Sequence, residues 1–113
     1  MSYLGVIIHH SVCPSINGKG YDFYIDRKCN VIPANSPSHS EYIHVCIEGD
    51  FNHLLESAKN ETKEQMFVLN KLLIQLSYRF KFVPEDILPH ALECPGEHFR
   101  WSELVISVED RYH

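Results

Sequence analysis

The chain has 113 residues, enough for one domain with a single core and too few for a catalytic domain plus a separate targeting module. It is 44% hydrophobic and 22% charged with a net charge of -5, so it offers no basic surface to track a phosphate backbone, and nucleic acid is not an expected partner. No stretch approaches the ~20 apolar residues that span a bilayer, and MSYLGVIIHH lacks the basic start of a signal peptide; the expectation is a protein that is cytoplasmic as synthesised, with no membrane partner.

In chain order, Leu4 to His9 (LGVIIH) is a continuous apolar run with β-branched residues and no helical period, which reads as a short buried strand. CPSINGKG, residues 13–20, is a loop dense in Pro, Ser, Asn and Gly. Tyr21 to Asp26 (YDFYID) is strand-like, and RKCN leads from it into Val31-Ile32-Pro33, so the two form a hairpin. After the polar loop ANSPSHSE comes YIHVCIEG. There Ile43, Val45 and Ile47 alternate with His44, Cys46 and Glu48, which predicts a strand with one apolar face and one chemically rich face.

The helix signal runs from Thr62 to Phe80. Thr62 and Gln65 have the capping-box spacing, and Met66, Leu69, Leu73, Leu76 and Phe80 step by three and four along a core-facing stripe. Pro84 follows it, Ile87-Leu88 suits a short edge strand running into His90, and Trp101 to about Val108 suits a final short helix. Strands first, a long helix, then a short strand and helix predict an α/β (α+β) fold. It is one domain over residues 1–113, a single mixed sheet of about four to five strands backed by helices.

The four cysteines are Cys13, Cys29, Cys46 and Cys94. Without an export signal reduced thiols are the default, although pairing of Cys13 with Cys29 stays open. Cys46 falls in a strand pattern and reads as a small core residue. Cys94 differs, because His90 stands four positions before it and Pro-Gly follows it. Zinc prefers imidazole and thiolate, and catalytic sites use three protein ligands with a fourth position open. His90 and Cys94 can supply two from one loop, and His9, at the end of the first strand, is the candidate third. His10, His44, His53, His98 and His113 read as surface or packed imidazoles.

The motifs VIIHHS, GYDFYIDRKCNVIP, VCIEGDF and ECPG, with the helix TKEQMFVLNKLLIQL, come in the order found in the zinc-dependent N-acetylmuramoyl-L-alanine amidases. The chain resembles that family, which includes phage lysozyme-type amidases and the peptidoglycan recognition proteins, over most of its length. The resemblance implies their fold and one zinc ion per chain on His9, His90 and Cys94. It also implies that Tyr21, in GYDF, contacts the zinc-bound water or the substrate carbonyl. The implied reaction is hydrolysis of the amide between the lactyl group of N-acetylmuramic acid and L-alanine, in peptidoglycan or muropeptides. A monomer is expected, acting on the wall after release or on imported muropeptides.

Three departures from the family pattern accompany the match. Only Ala91, Leu92 and Glu93 separate His90 from Cys94, a shorter interval than usual. Leu92 stands where the family commonly has Lys or Thr, and cannot donate a hydrogen bond. Glu93 and Glu48 are the candidate general bases in its place, each with a plain alternative as a solvated loop charge or a strand-end surface residue. The segment between His10 and Tyr21 is also short, which implies a shallow cleft. Two alternatives to an enzyme stay open: a muropeptide-binding module with a zinc site, and a closed structural site with His98 as fourth ligand.

Overall fold

The computed structural model describes residues 3–12, 21–35, 41–51, 59–90, 94–95, 99, 101 and 104. Among the described residues five strands and a helix make up the regular structure: β1 (Gly5–His10), β2 (Phe23–Ile25), β3 (Val31–Pro33), β4 (Tyr42–Ile47), α1 (Lys59–Phe80) and β5 (Ile87–Pro89). A turn of 3-10 helix, Pro84–Asp86, leads into β5. The strands form one mixed sheet in the order β3-β2-β4-β1-β5. β1 is parallel to both of its neighbours, β4 and β5, β2 is parallel to β4, and only β2 and β3 are antiparallel. The mixed sheet and the hairpin agree with the sequence reading, and β5 is the edge strand it anticipates.

Register decides which side chains share a face, because side chains alternate across a strand. Val6, Ile8 and His10 of β1 pair with Ile43, Val45 and Ile47 of β4, and Ile25 of β2 pairs with Ile47. The apolar residues among these are buried with Met66, Leu69, Leu72, Leu73 and Leu76 of α1 in one core, and His10 is buried on the same face. The opposite face carries Ile7 and His9 of β1, His44 and Cys46 of β4, Tyr24 of β2 and Leu88 of β5. One face holds the core and the other holds the chemistry.

The helix begins three residues earlier than its sequence signal. Thr62 and Gln65 are therefore not its cap; both are buried within it. Gln65 donates its side-chain amide to the carbonyl oxygens of Asp26 (3.1 Å) and Glu48 (2.9 Å), just beyond the ends of β2 and β4. A polar side chain in the apolar stripe thus satisfies two strand-end carbonyls, and sets where α1 sits along the sheet. At its other end the helix closes with Lys81 at φ 61° and the Phe82 N–H donating to the Ser77 carbonyl at 3.1 Å, a Schellman motif.

The β2–β3 turn is organised by Asp26. Its carboxylate accepts the N–H groups of Lys28 and Asn30 and the Asn30 side-chain amide, while Cys29 takes the left-handed conformation at φ 66°. Cys29, Cys46 and Cys94 are free thiols, and Cys13 lies outside the described residues. Of the anticipated final helix only Trp101 and Leu104 are described. Among the described residues no helix is long and apolar enough to cross a membrane.

Candidate metal centre

β1 ends in two consecutive histidines, and the pleat sends them to opposite faces. His10 turns to the core, where it is buried and its Nδ1 accepts the Phe51 N–H at 3.1 Å. It is a satisfied core histidine, as its sequence reading anticipates. His9 turns to the other face and is also buried.

β5 lies beside β1 in parallel, with Ile8 paired to Pro89, so the next residue, His90, emerges beside His9. Their ring centroids are 4.7 Å apart. Cys94 lies at the same place, with its Sγ 3.7 Å from His9 Nδ1. The ligand atoms of His9, His90 and Cys94 all lie within 4.8 Å of one another, so this group could hold a metal ion. Two are buried, and His90 is exposed.

The donor set suits zinc, being two imidazoles and a thiol with no hard oxygen ligand. With Zn–N near 2.0–2.1 Å and Zn–S near 2.3 Å, two tetrahedral ligands of one ion stand about 3.6 Å apart. The His9–Cys94 separation of 3.7 Å matches that spacing. His9 is also held in the form a metal needs. Burial, followed by the neighbouring charges of His44, His90 and His10, lowers its pKa to about 4. It is neutral at neutral pH, with a lone pair to give.

His44 was not among the residues that sequence reasoning selects for the site. Its Nδ1 is 2.8 Å from His9 Nε2, on the far side of the His9 ring from Cys94, and the two rings meet edge to edge with centroids 5.1 Å apart. Burial lowers the His44 pKa, against the opposing influence of Asp22. Asp22 also grips the His44 backbone: Oδ2 accepts its N–H at 2.8 Å, and the Asp22 N–H donates to its carbonyl at 2.7 Å. The available signal was the alternation in YIHVCIEG, which places His44 and Cys46 on one face without naming their partners. Cys46, buried as anticipated, is not in the core against α1. It packs with Cys94 on the site face, where Tyr21 and Tyr24 cover the pair.

Tyr21 borders this patch, half-buried, its ring 5.4 Å from that of Tyr24. Tyr24 has its pKa raised by burial first, then by Glu48 and Cys46. Glu48 does not join the three-residue group. Its Oε1 accepts the Arg27 N–H at 3.0 Å, tying the end of β4 to the hairpin turn. Glu93, Leu92 and His98 lie outside the described residues.

The chain is similar to the N-acetylmuramoyl-L-alanine amidase LysC from Clostridium intestinale URNW, with a TM-score of 0.65 at 22% identity, over 92% of this chain and 83% of that one. The endolysine N-acetylmuramoyl-L-alanine amidase LysCS from the same organism matches at the same TM-score and identity, over 92% of this chain and 82% of that one. The chain has the fold of these amidases. No protein-family model and no curated protein sequence matches it.

Proposed function

We propose that the protein is a zinc-dependent N-acetylmuramoyl-L-alanine amidase. On this reading it hydrolyses the amide between the lactyl group of N-acetylmuramic acid and L-alanine in peptidoglycan or muropeptides. The observation that carries this reading is the meeting of His9, His90 and Cys94 within 4.8 Å, beside the carboxyl ends of β1 and β5. It is supported by a fold shared with two amidases.

His9 Nδ1, an imidazole nitrogen of His90 and Cys94 Sγ would hold the zinc, three ligands with a fourth position left for reactants. When bound, zinc supplies Lewis acidity towards a carbonyl and brings the pKa of water to about 7. His9 gives its lone pair without first losing a proton, because its pKa is held near 4. Cys94 would hold the ion as a thiolate, its proton having passed to solvent. Tyr21, at the border of the site-face patch, donates its phenolic O–H to the carbonyl oxygen as negative charge develops there. Of the two carboxylates, Glu93, next to Cys94 in sequence, is the one we assign as general base. Glu48 keeps its bond to the hairpin. Leu92 supplies no donor, so the oxyanion depends on Tyr21 more heavily than in a site with a Lys or Thr there.

Elemental analysis of purified wild type and His90→Ala, with a muropeptide-cleavage assay on the same samples, tests the proposal. One zinc per chain in wild type, its loss in the variant and release of free stem peptide are expected. Zinc without cleavage would replace the enzyme by a binding module, the reading that Leu92 favours. No zinc in wild type would overturn both.

A further inference from the structure

The most specific contact of the site face lies behind the three candidate ligands. His9 uses both ring nitrogens: Nδ1 faces Cys94 Sγ at 3.7 Å, and Nε2 faces His44 Nδ1 at 2.8 Å. A neutral imidazole carries one N–H and one lone pair, so these neighbours are linked through the ring. If Nδ1 is to bind a metal, the proton sits on Nε2 and needs an acceptor. His44 Nδ1 is at hydrogen-bonding distance in the required place.

We propose that His44 is a positioning residue of the metal centre: it accepts the Nε2–H of His9 and thereby fixes both the tautomer and the ring plane that turn His9 Nδ1 towards Cys94. This rests on the metal reading above and deepens it. His44 can do this because it is itself immobilised. It lies within β4, which pairs with β1 over the full length of both strands, and its N–H and C=O are both engaged by Asp22. The two rings meet edge to edge, with centroids 5.1 Å apart and planes 30° apart, so the His9 Nε2–H points at the His44 Nδ1 lone pair nearly in the plane of both. A metal-ligating histidine that donates its second N–H to a fixed acceptor is better oriented and more basic, and loss of such an acceptor typically weakens metal binding 10–100-fold. The usual acceptor is a carboxylate, a carbonyl or water. Here it is a neutral imidazole, which holds the N–H without adding a negative charge beside the zinc.

The test is zinc affinity, measured by competition with a chromophoric chelator, on wild type, His44→Ala and His44→Asn. Asn keeps an acceptor oxygen near the place of Nδ1. Zinc binding about 10–100-fold weaker in His44→Ala and within a few-fold of wild type in His44→Asn is the expected result. Equal affinity in all three would overturn the positioning role and leave the zinc site standing. Equal loss in both variants, with circular dichroism unchanged, would overturn the acceptor role. No zinc in wild type would overturn the metal reading and this inference together. Nitrogen-15 NMR of the zinc-free wild type gives a second measurement that needs no variant to fold. His9 is expected with its proton on Nε2, and a proton on Nδ1 would overturn the proposal.

Discussion

His9 and His10 are neighbours in β1, yet one faces a candidate metal ligand and the other holds a loop. His9 Nδ1 is 3.7 Å from Cys94 Sγ, while His10 Nδ1 accepts the N–H of Phe51 inside the core. The two should therefore fail differently. His10→Leu leaves a buried donor without its acceptor, at a cost of about 1–3 kcal/mol in stability, with zinc content unchanged. His9→Ala should lose the zinc. Denaturant unfolding and elemental analysis on the same preparations separate the two, and zinc loss in folded His10→Leu would contradict the division.

Gly5 is required by packing. A Cβ there would collide with the backbone carbonyl of Asp86, where the chain enters β5, and backbone cannot swing aside as a side-chain tip can. Gly5→Ala is expected to destabilise the fold by about 1–3 kcal/mol and to push β5 away from β1. Because His90 follows β5 directly, zinc affinity should fall as well. A variant of unchanged stability and affinity would show that the two strands can part without harm.

Ser77 carries the opposite expectation. Its hydroxyl is buried in α1 with no hydrogen-bond partner among the described residues. Ser77→Ala removes an unsatisfied polar atom and places the better helix former there, for a gain of about 1 kcal/mol. The carbonyl that closes the helix belongs to the backbone and is retained. A rise in the urea midpoint is the expected measurement, and a fall would show that the hydroxyl has found a partner.

The pH dependence of the zinc-free protein follows from His9. Its pKa is about 4 in the folded chain against 6.5 for a free imidazole, and that of His44 is lowered too. Between these values the unfolded chain binds more protons, so stability rises with pH through this window and is lost as pH falls from 6.5 towards 4. Urea midpoints in chelator should drop across that range, and His9→Gln should flatten the profile. A flat profile in wild type would mean that the ring is not desolvated.

Much of this was legible in the sequence, for identifiable reasons. Period-two alternation marks β4 and its two faces, and period 3.6 marks the buried side of α1. Residue type and spacing only suggest His9, His90 and Cys94; the ordered motifs that resemble the amidases single them out, and the structure brings their ligand atoms within 4.8 Å of one another. What sequence cannot carry is contact made by tertiary neighbours. Thr62 and Gln65 have the spacing of a cap, but the Gln65 amide is drawn to two strand-end carbonyls and the helix extends past them. Nor does sequence show that one oxygen of Glu48 accepts a backbone N–H 21 residues earlier, across the hairpin turn. His44 looks like any polar strand residue until β1 is laid beside β4 and its ring meets His9.

The separation of His9 from Cys94 by 85 residues has a consequence for synthesis. β1 is made well before β5, one of its two partners, with β4 and α1 between them in the chain. Closing so long a span is slow compared with forming helices and hairpins, and it waits until both ends of the span exist. A nascent chain with β5 still inside the ribosome can dock β1 on β4 and seat His9 against His44, but it has neither His90 nor Cys94 to complete the group. The group that could hold a metal is thus complete only in a chain synthesised past Cys94. A chain cut short before that point presents an imidazole pair in place of the three-residue centre.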